Sequence, residues 1–586
     1  MILQSLAKYY DRLVSTDVSG VPELGFSTEK VHFSLVLSEG GELVQVFDLR
    51  QQSGKRLVPR AAIVPQGPKR SVNIAPSFLW GSTSYVLGAD EKGKPDRTAQ
   101  CHRSFEEHHQ ELLGDVDDKG ARAVLAFLDH WNPEDAPHLE HWQDMLKGNL
   151  VFQLDGATGF VHERPLIKQV WKRAYEAGGD SPVATCLVTG QEAPIAKLHP
   201  AIRGVSNAQS SGASLVSFNL DSFCSYGKTQ SFNAPVGEES AFAYTTSLNF
   251  LLRPDSPNRL PIGDTTTVFW TERDSPMEAL FGQVVNPGDN AADNEELRVF
   301  LESVRRGKRP PNIEDWDVRF YILGLSPNAS RLAVRFWYAG TVGDIADNLG
   351  RHFRDLEMVT SRDEDPEYPA LWQLLREARN RKSRDDTPPL LAGALAKAVI
   401  SGTLYPQGLL SAVINRIRAE QAARSNNDRP IPNVNYFRAA LIKAVLVRKA
   451  RILNHNLEVP VALDKNNKNE AYLLGRLFAA LEKAQKDANP GINATIKDRF
   501  YGSASTAPRA VFPQLLRLAQ HHIAKAEYGR VNDQRIEEIL NDLRQFPAHL
   551  PLDQQGMFAI GYYQQRQDFF KGRRKETETT ASTEEK

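Results

Sequence analysis

A chain of 586 residues is longer than one hydrophobic core serves, since cores stop growing at about 250 to 300 residues, so two or three domains are expected. At 41% apolar and 24% charged residues it is neither wholly disordered nor fibrous, and with no run of about 18 uncharged apolar residues and no basic segment ahead of an apolar one, neither membrane spanning nor secretion is expected. The net charge of −1 conceals a division: Thr387 to Lys575 carries 28 Lys and Arg against 15 Asp and Glu, about +13, while the first 386 residues sum to about −11 and the last eleven to −3.

In chain order, the first elements are strands. Residues 31 to 50 alternate apolar and polar positions around Gly40-Gly41, the pattern of a β-hairpin. Leu150 to Leu154, turning at Asp155-Gly156 into Gly159-Phe160-Val161, predicts a second hairpin. Thr265 to Thr271 and Arg319 to Leu325 predict a further strand pair, and Arg331 to Tyr338 alternates cleanly. After Tyr338 the period becomes helical: Val342 to Met358, Leu371 to Arg381, Leu390 to Arg424 with a break at Gly402 to Pro406, Asn435 to Leu453, Ala471 to Ala488, Val511 to Tyr528 and Asp533 to Phe546. The fold class expected is an α+β N-terminal part with antiparallel sheets, followed by an all-α C-terminal helical bundle. The corresponding divisions are 1–340, a helical connection over 341–463, the bundle over 464–575 and a disordered polar tail over 576–586. Arg384 to Pro389 and Asp464 to Asn469 read as linkers.

Most motifs that look like chemistry fail on inspection. Ser225-Tyr226-Gly227-Lys228-Thr229 ends like a phosphate-binding loop, but the first glycine that loop needs is Ser222. Asp115-Val116-Asp117-Asp118-Lys119-Gly120 imitates a calcium loop, with Lys119 at a ligand position and Ala126 where the bidentate glutamate belongs. The three cysteines, Cys101, Cys186 and Cys224, have no metal or disulfide spacing, which fits a reducing cytoplasm. Glu107-His108-His109 and His521-His522 read as structural, since adjacent histidines on a helix point about 100° apart. No HExxH or GxSxG is present. The expectation is a chain without catalytic residues, metal or cofactor.

Two blocks carry a resemblance. The first is Thr185-Cys186-Leu187-Val188-Thr189-Gly190, then Leu198-His199-Pro200 through Val205, Ala208-Gln209-Ser210-Ser211-Gly212 through Asn219, Ser225-Tyr226-Gly227-Lys228 and Asn233-Ala234-Pro235. The second is Lys497 to Ser505, Val511-Phe512-Pro513, Phe546-Pro547-Ala548-His549-Leu550 and Gly561-Tyr562-Tyr563. With pieces at Lys69 to Ser71, Ala75 to Leu79, Tyr85 to Gly88 and Phe320 to Asn328, the chain resembles, over nearly its whole length, the large subunit of type I-C CRISPR interference (Cascade) complexes.

That resemblance implies a cytoplasmic, non-catalytic protein that reads the protospacer-adjacent motif (PAM) on double-stranded target DNA and assists strand separation and R-loop formation, while guide RNA supplies sequence specificity. The implied partners are the guide RNA, the backbone, guide-end and small subunits of the complex, and a helicase-nuclease. It further implies that the C-terminal helical segment, from near Leu463 to Asn469, is also translated separately as a small subunit. No methionine lies between Met358 and Met557, so such a start uses a non-AUG codon.

Reading a PAM needs polar groups on base edges and cations on phosphate. Lys69, Arg70, Ser71 and Asn73 offer both in one loop, and Gln209, Ser210, Ser211 and Gly212 offer a small turn that permits close backbone approach. Asn219, Lys228, Gln230 and Asn233 follow in the same block. In the basic third, Arg438, Lys443, Arg448, Lys449, Arg451, Arg476, Lys483, Lys497, Arg499, Arg509, Arg517 and Lys525 are the candidates for an electrostatic groove along a displaced or target strand. The competing readings are a metal-dependent nuclease of the same defence system and a scaffold that never touches the PAM.

Overall fold

The computed structural model describes residues 1–586 except 17, 19, 54–55, 69–73, 178–180, 286–294, 312, 381–388, 421–422, 425–429 and 585–586; side chains of 53, 389–390, 423–424, 430–431 and 570–584 are likewise outside the description. Two compact units result: Met1–Ile202 with Ser214–Phe250, and Arg203–Ala213 with Leu251–Lys586.

The first unit is built on a four-stranded sheet ordered Leu43–Asp48, Phe33–Leu37, Leu150–Leu154, Trp80–Gly81. The hairpin expected around Gly40-Gly41 is present, with Leu35 opposite Val46. Gly41 is required there: its φ is +87, and a Cβ would stand 2.6 Å from the Phe127 backbone nitrogen. The second hairpin is not formed. Leu150–Leu154 lies parallel to Phe33–Leu37, Phe152 opposite Leu35, and is antiparallel to Trp80–Gly81. Leu150, Val151 and Phe152 are fully buried, as a strand flanked on both edges and covered on both faces must be, while Phe160 enters the 3-10 turn Val161–Glu163 with Glu163 Oε2 accepting its N–H at 2.8 Å. Helices Pro95–Leu113 and Lys119–His130 bring Phe105 and Phe127 against Phe152. Asp118 caps the second, accepting from Gly120 and Ala121 N–H, and is itself held by Arg164 Nε at 2.7 Å.

The second unit begins with an antiparallel sheet ordered Arg259–Ile262, Thr265–Thr271, Arg319–Asn328, Arg331–Thr341. The expected pairing of 265–271 with 319–325 is formed, with Phe269 opposite Ile322 and Trp270 opposite Tyr321. Alternation puts Phe269, Phe320, Ile322 and Phe336 into one core with Phe281, Phe300 and Ile345 from helices Met277–Val285, Glu295–Arg305 and Val342–Leu356. On the opposite side Trp270, Tyr321 and Trp337 stack across three strands with centroids 5.5 to 5.7 Å apart.

From Thr341, whose hydroxyl accepts the Asp344 N–H, the chain is almost entirely helical. Helices Leu371–Ala378, Pro389–Ser401, Gln407–Ala419, Tyr436–Leu453, Glu470–Ala488, Ile496–Ala504, Pro508–Lys525, Gly529–Asp542 and Leu552–Glu584 follow, with the break at 402–406 where Gly402 (φ +67) and Pro406 predict it. One short strand pair, Ala423–Arg424 with Pro430–Ile431, interrupts a region expected to be free of strands. The linker expected at 384–389 falls outside the described residues except for Pro389. Helices Glu470–Ala488 and Leu552–Glu584 approach so closely that a Cβ on Gly475 would meet Phe558 O at 2.1 Å and one on Gly561 would meet Tyr472 O at 2.2 Å. Around that contact Phe478, Tyr501, Phe558 and Tyr562 pack edge to face or tilted at centroid distances of 5.4 to 5.9 Å.

Candidate nucleic-acid interface

Lys69, Arg70, Ser71 and Asn73 lie outside the described residues. The remaining loop candidates divide between the units. In the second unit, Gly212 N donates to Gln209 O at 2.9 Å, closing a four-residue turn in which Gln209, Ser210 and Ser211 are exposed. The turn is anchored by buried Val205 and Ala213 and by Ser206 N, which donates to Thr266 Oγ1 of the sheet at 2.9 Å. A rigid sheet thus carries a small loop of hydroxyls and one amide, the arrangement that base-edge or phosphate contact requires.

In the first unit, Asn219 and Lys228 are exposed, and Gln230 and Asn233 are half-buried. Asn233 is engaged internally: its Nδ2 donates to Lys228 O at 3.1 Å and Gln230 O at 2.9 Å, and its Oδ1 accepts from Ser225 N at 2.9 Å. It therefore shapes the loop rather than offering its amide outward. The earlier part of the same block is also structural. Cys186 Sγ accepts N–H groups of Gly237 at 3.1 Å and Val188 at 3.4 Å. Burial alone would raise this thiol, yet these N–H groups and the Ser240 hydroxyl hold it down at about 7. His199 Nδ1 is 2.7 Å from Tyr244 Oη.

The basic helices correct the expectation of a groove. Arg438 is fully buried, with Nε 3.0 Å from Glu377 Oε2 and a second nitrogen 2.6 Å from Glu420 Oε2. Arg448 is equally buried; Nε donates to Asp355 Oδ2 at 3.0 Å and the guanidinium lies 4.1 Å from the Tyr405 ring centre. Arg451 completes the site with two bonds to Asp355, at 2.7 and 2.8 Å. Lys443, also buried and lowered in pKa by desolvation, donates to Arg354 O and Asp355 O at the end of Val342–Leu356. Arg476 is buried against Gln565, and Lys497 is buried with its pKa lowered to about 8, by desolvation first and Arg566 second. Lys449 pairs with Asp553 and Lys483 with Asp487. The Lys483 pair lies within one helix, whereas Arg448, Lys449, Arg451 and Arg476 tie helices together through partners 89 to 104 residues away along the chain, too far for charge counting to find.

Arg451 is exposed but paired with Asp355, and four further exposed candidates remain on the bundle: Arg499, Arg509, Arg517 and Lys525. Arg509 Nε donates to Phe546 O and Lys525 Nζ to Asn489 Oδ1, bonds that leave the charge available to solvent. What residue reading missed is Tyr226, 99% exposed at the tip of the loop that Asn233 holds. In the sequence only Gly227 among polar neighbours signalled a turn there, and nothing signalled the exposure of the ring.

Among the described residues no group of three or more His, Cys, Asp or Glu is placed to hold a metal, and no helix is long and apolar enough to cross a membrane. Around the candidate loops the exposed features are thus polar turns, the rings of Tyr226 and Phe223, and scattered cations. No curated protein matches the chain. The family model of CRISPR-associated protein (Cas_Csd1) matches residues 6–570, spanning both units and every loop described above, and the chain belongs to that family.

Proposed function

We propose that this chain is the non-catalytic large subunit of a type I-C surveillance complex, where it recognises the PAM on target duplex DNA, assists strand separation and R-loop formation, and serves recruitment of the helicase-nuclease. The observation that carries the reading is the turn Gln209–Gly212, three exposed polar side chains on a loop fixed to a sheet, in a chain that belongs to a CRISPR-associated family. Hydroxyls and an amide discriminate base edges at short range, and the exposed Arg499, Arg509, Arg517 and Lys525 add sequence-independent attraction to phosphate. The same reading has the C-terminal helices also made as a separate small subunit from a non-AUG start, which intact-mass analysis of the purified complex would detect as a product lacking the first unit.

The test is assembly with the other subunits and guide RNA, then equilibrium binding to guide-matched duplexes carrying every PAM variant at stated salt. Discrimination of at least tenfold between PAM variants, absent from a complex prepared without this chain, supports the reading. Equal discrimination in both preparations makes the chain a scaffold, and metal-dependent cleavage by the purified chain makes it a nuclease.

A further inference from the structure

The loop that holds Tyr226 spends conformational freedom in an unusual way. Lys228 N donates to Ser225 O at 3.0 Å across a reversal whose central residues, Tyr226 and Gly227, have φ of +54 and +69. Two successive left-handed residues define the mirror-image turn that asparagine and glycine normally build. Here a bulky tyrosine takes the first position, and Gln230, four residues on, also has positive φ, +47. The tyrosine gains nothing by packing, because its ring is 99% exposed. The turn is held instead by the three hydrogen bonds of Asn233. A disfavoured backbone conformation that presents a large ring to solvent is the mark of a site whose partner lies outside the unit.

Local chemistry selects the partner. No Asp or Glu lies between Asp221 and Glu238, while Lys228 is exposed two residues beyond the ring and the Ser225 and Thr229 side chains are exposed on either side. A flat ring beside an unopposed cation suits a nucleobase and its phosphate. Exposed Leu220 and Phe223 on the preceding turn are what a protein subunit would use, but a protein contact gives no reason for the carboxylate-free stretch.

We propose that Tyr226 is a stacking platform for a nucleobase released from its pair, with Lys228 against the adjoining phosphate. This rests on the reading that the chain meets target DNA.

The experiment uses the assembled complex carrying Tyr226→Ala, Tyr226→Phe, Tyr226→Trp or Lys228→Ala, with guide-matched duplexes in which each nucleotide near the PAM is replaced in turn by an abasic site. Tyr226→Ala is expected to weaken target binding roughly 5- to 150-fold, the range of one base–aromatic stack, while Phe and Trp stay within about twofold of wild type. One abasic position should weaken wild type by the same factor and have no further effect in Tyr226→Ala, because ring and base act as a pair. Lys228→Ala should lower the dependence on salt. Unchanged binding by Tyr226→Ala, or full additivity with every abasic position, overturns the proposal. So does loss of a subunit from the Tyr226→Ala complex, which makes the ring a protein anchor. A wild-type complex indifferent to the PAM would instead bring down the underlying function, and the stacking contact with it.

Discussion

At the scale of residues, the basic third of the chain shows how a formal charge count misleads. Arg438 and Arg448 look like phosphate ligands until their carboxylates are located, 18 and 93 residues away in sequence for Glu420 and Asp355. A buried ion pair is weak evidence of net stability, but breaking one leaves an uncompensated charge and costs about 3–5 kcal/mol. Asp355→Asn, which strands buried Arg448, is therefore expected to destabilise the second unit by that much in urea unfolding. Arg517→Ala on the surface should change stability by less than about 0.5 kcal/mol. A second buried carboxylate sets a pH dependence. Burial would raise Glu482, but Arg566, Lys486 and the Tyr562 hydroxyl outweigh it and hold its pKa at about 2, against an ordinary 4.5. Its contribution is complete above about pH 4.5 and is lost as pH falls towards about 2. A pH series of urea unfolding should show that loss, and Glu482→Gln should flatten it over the same window.

At the scale of elements, packing explains which pairings could be read in advance. The strands at 265–271 and 319–325 were legible as short runs rich in β-branched and aromatic residues, although 265–271 is buried along its whole length. The partnership of Leu150–Leu154 with Phe33–Leu37 was not, because a parallel pair joined across helices leaves no local signature and its inner strand reads as a plain apolar run. Helix spans were legible to within a turn at Tyr436–Leu453 and Glu470–Ala488, where Asn435 and Asn469 side chains accept the capping N–H groups. The Gln209–Gly212 turn was legible from its glycine and serines. Tyr226 was not, since exposure is a property of the folded loop. Close helix packing makes one sharp prediction: with Phe558 O only 2.1 Å from a new Cβ, Gly475→Ala forces helices Glu470–Ala488 and Leu552–Glu584 apart. The expected cost is about 1–3 kcal/mol or more, visible as faster hydrogen exchange in both helices.

At the scale of the whole molecule, a net charge of −1 and the internal ion pairs of Arg438, Arg448, Lys449, Arg451 and Lys483 reduce the general attraction for DNA. Recognition on this account comes from local polar loops on rigid elements, with Arg499, Arg509, Arg517 and Lys525 supplying a modest field. The most direct measurement is equilibrium binding of the assembled complex to the PAM-variant panel at two salt concentrations, comparing two variants with wild type. The account predicts that Gln209→Ala/Ser210→Ala/Ser211→Ala narrows the affinity range across PAM variants at least tenfold with the salt slope unchanged. Replacing the four exposed cations by alanine should lower the salt slope, by up to about 0.9 for each phosphate they neutralise, and keep the discrimination. Discrimination that survives in the turn variant and collapses in the cation variant would contradict it.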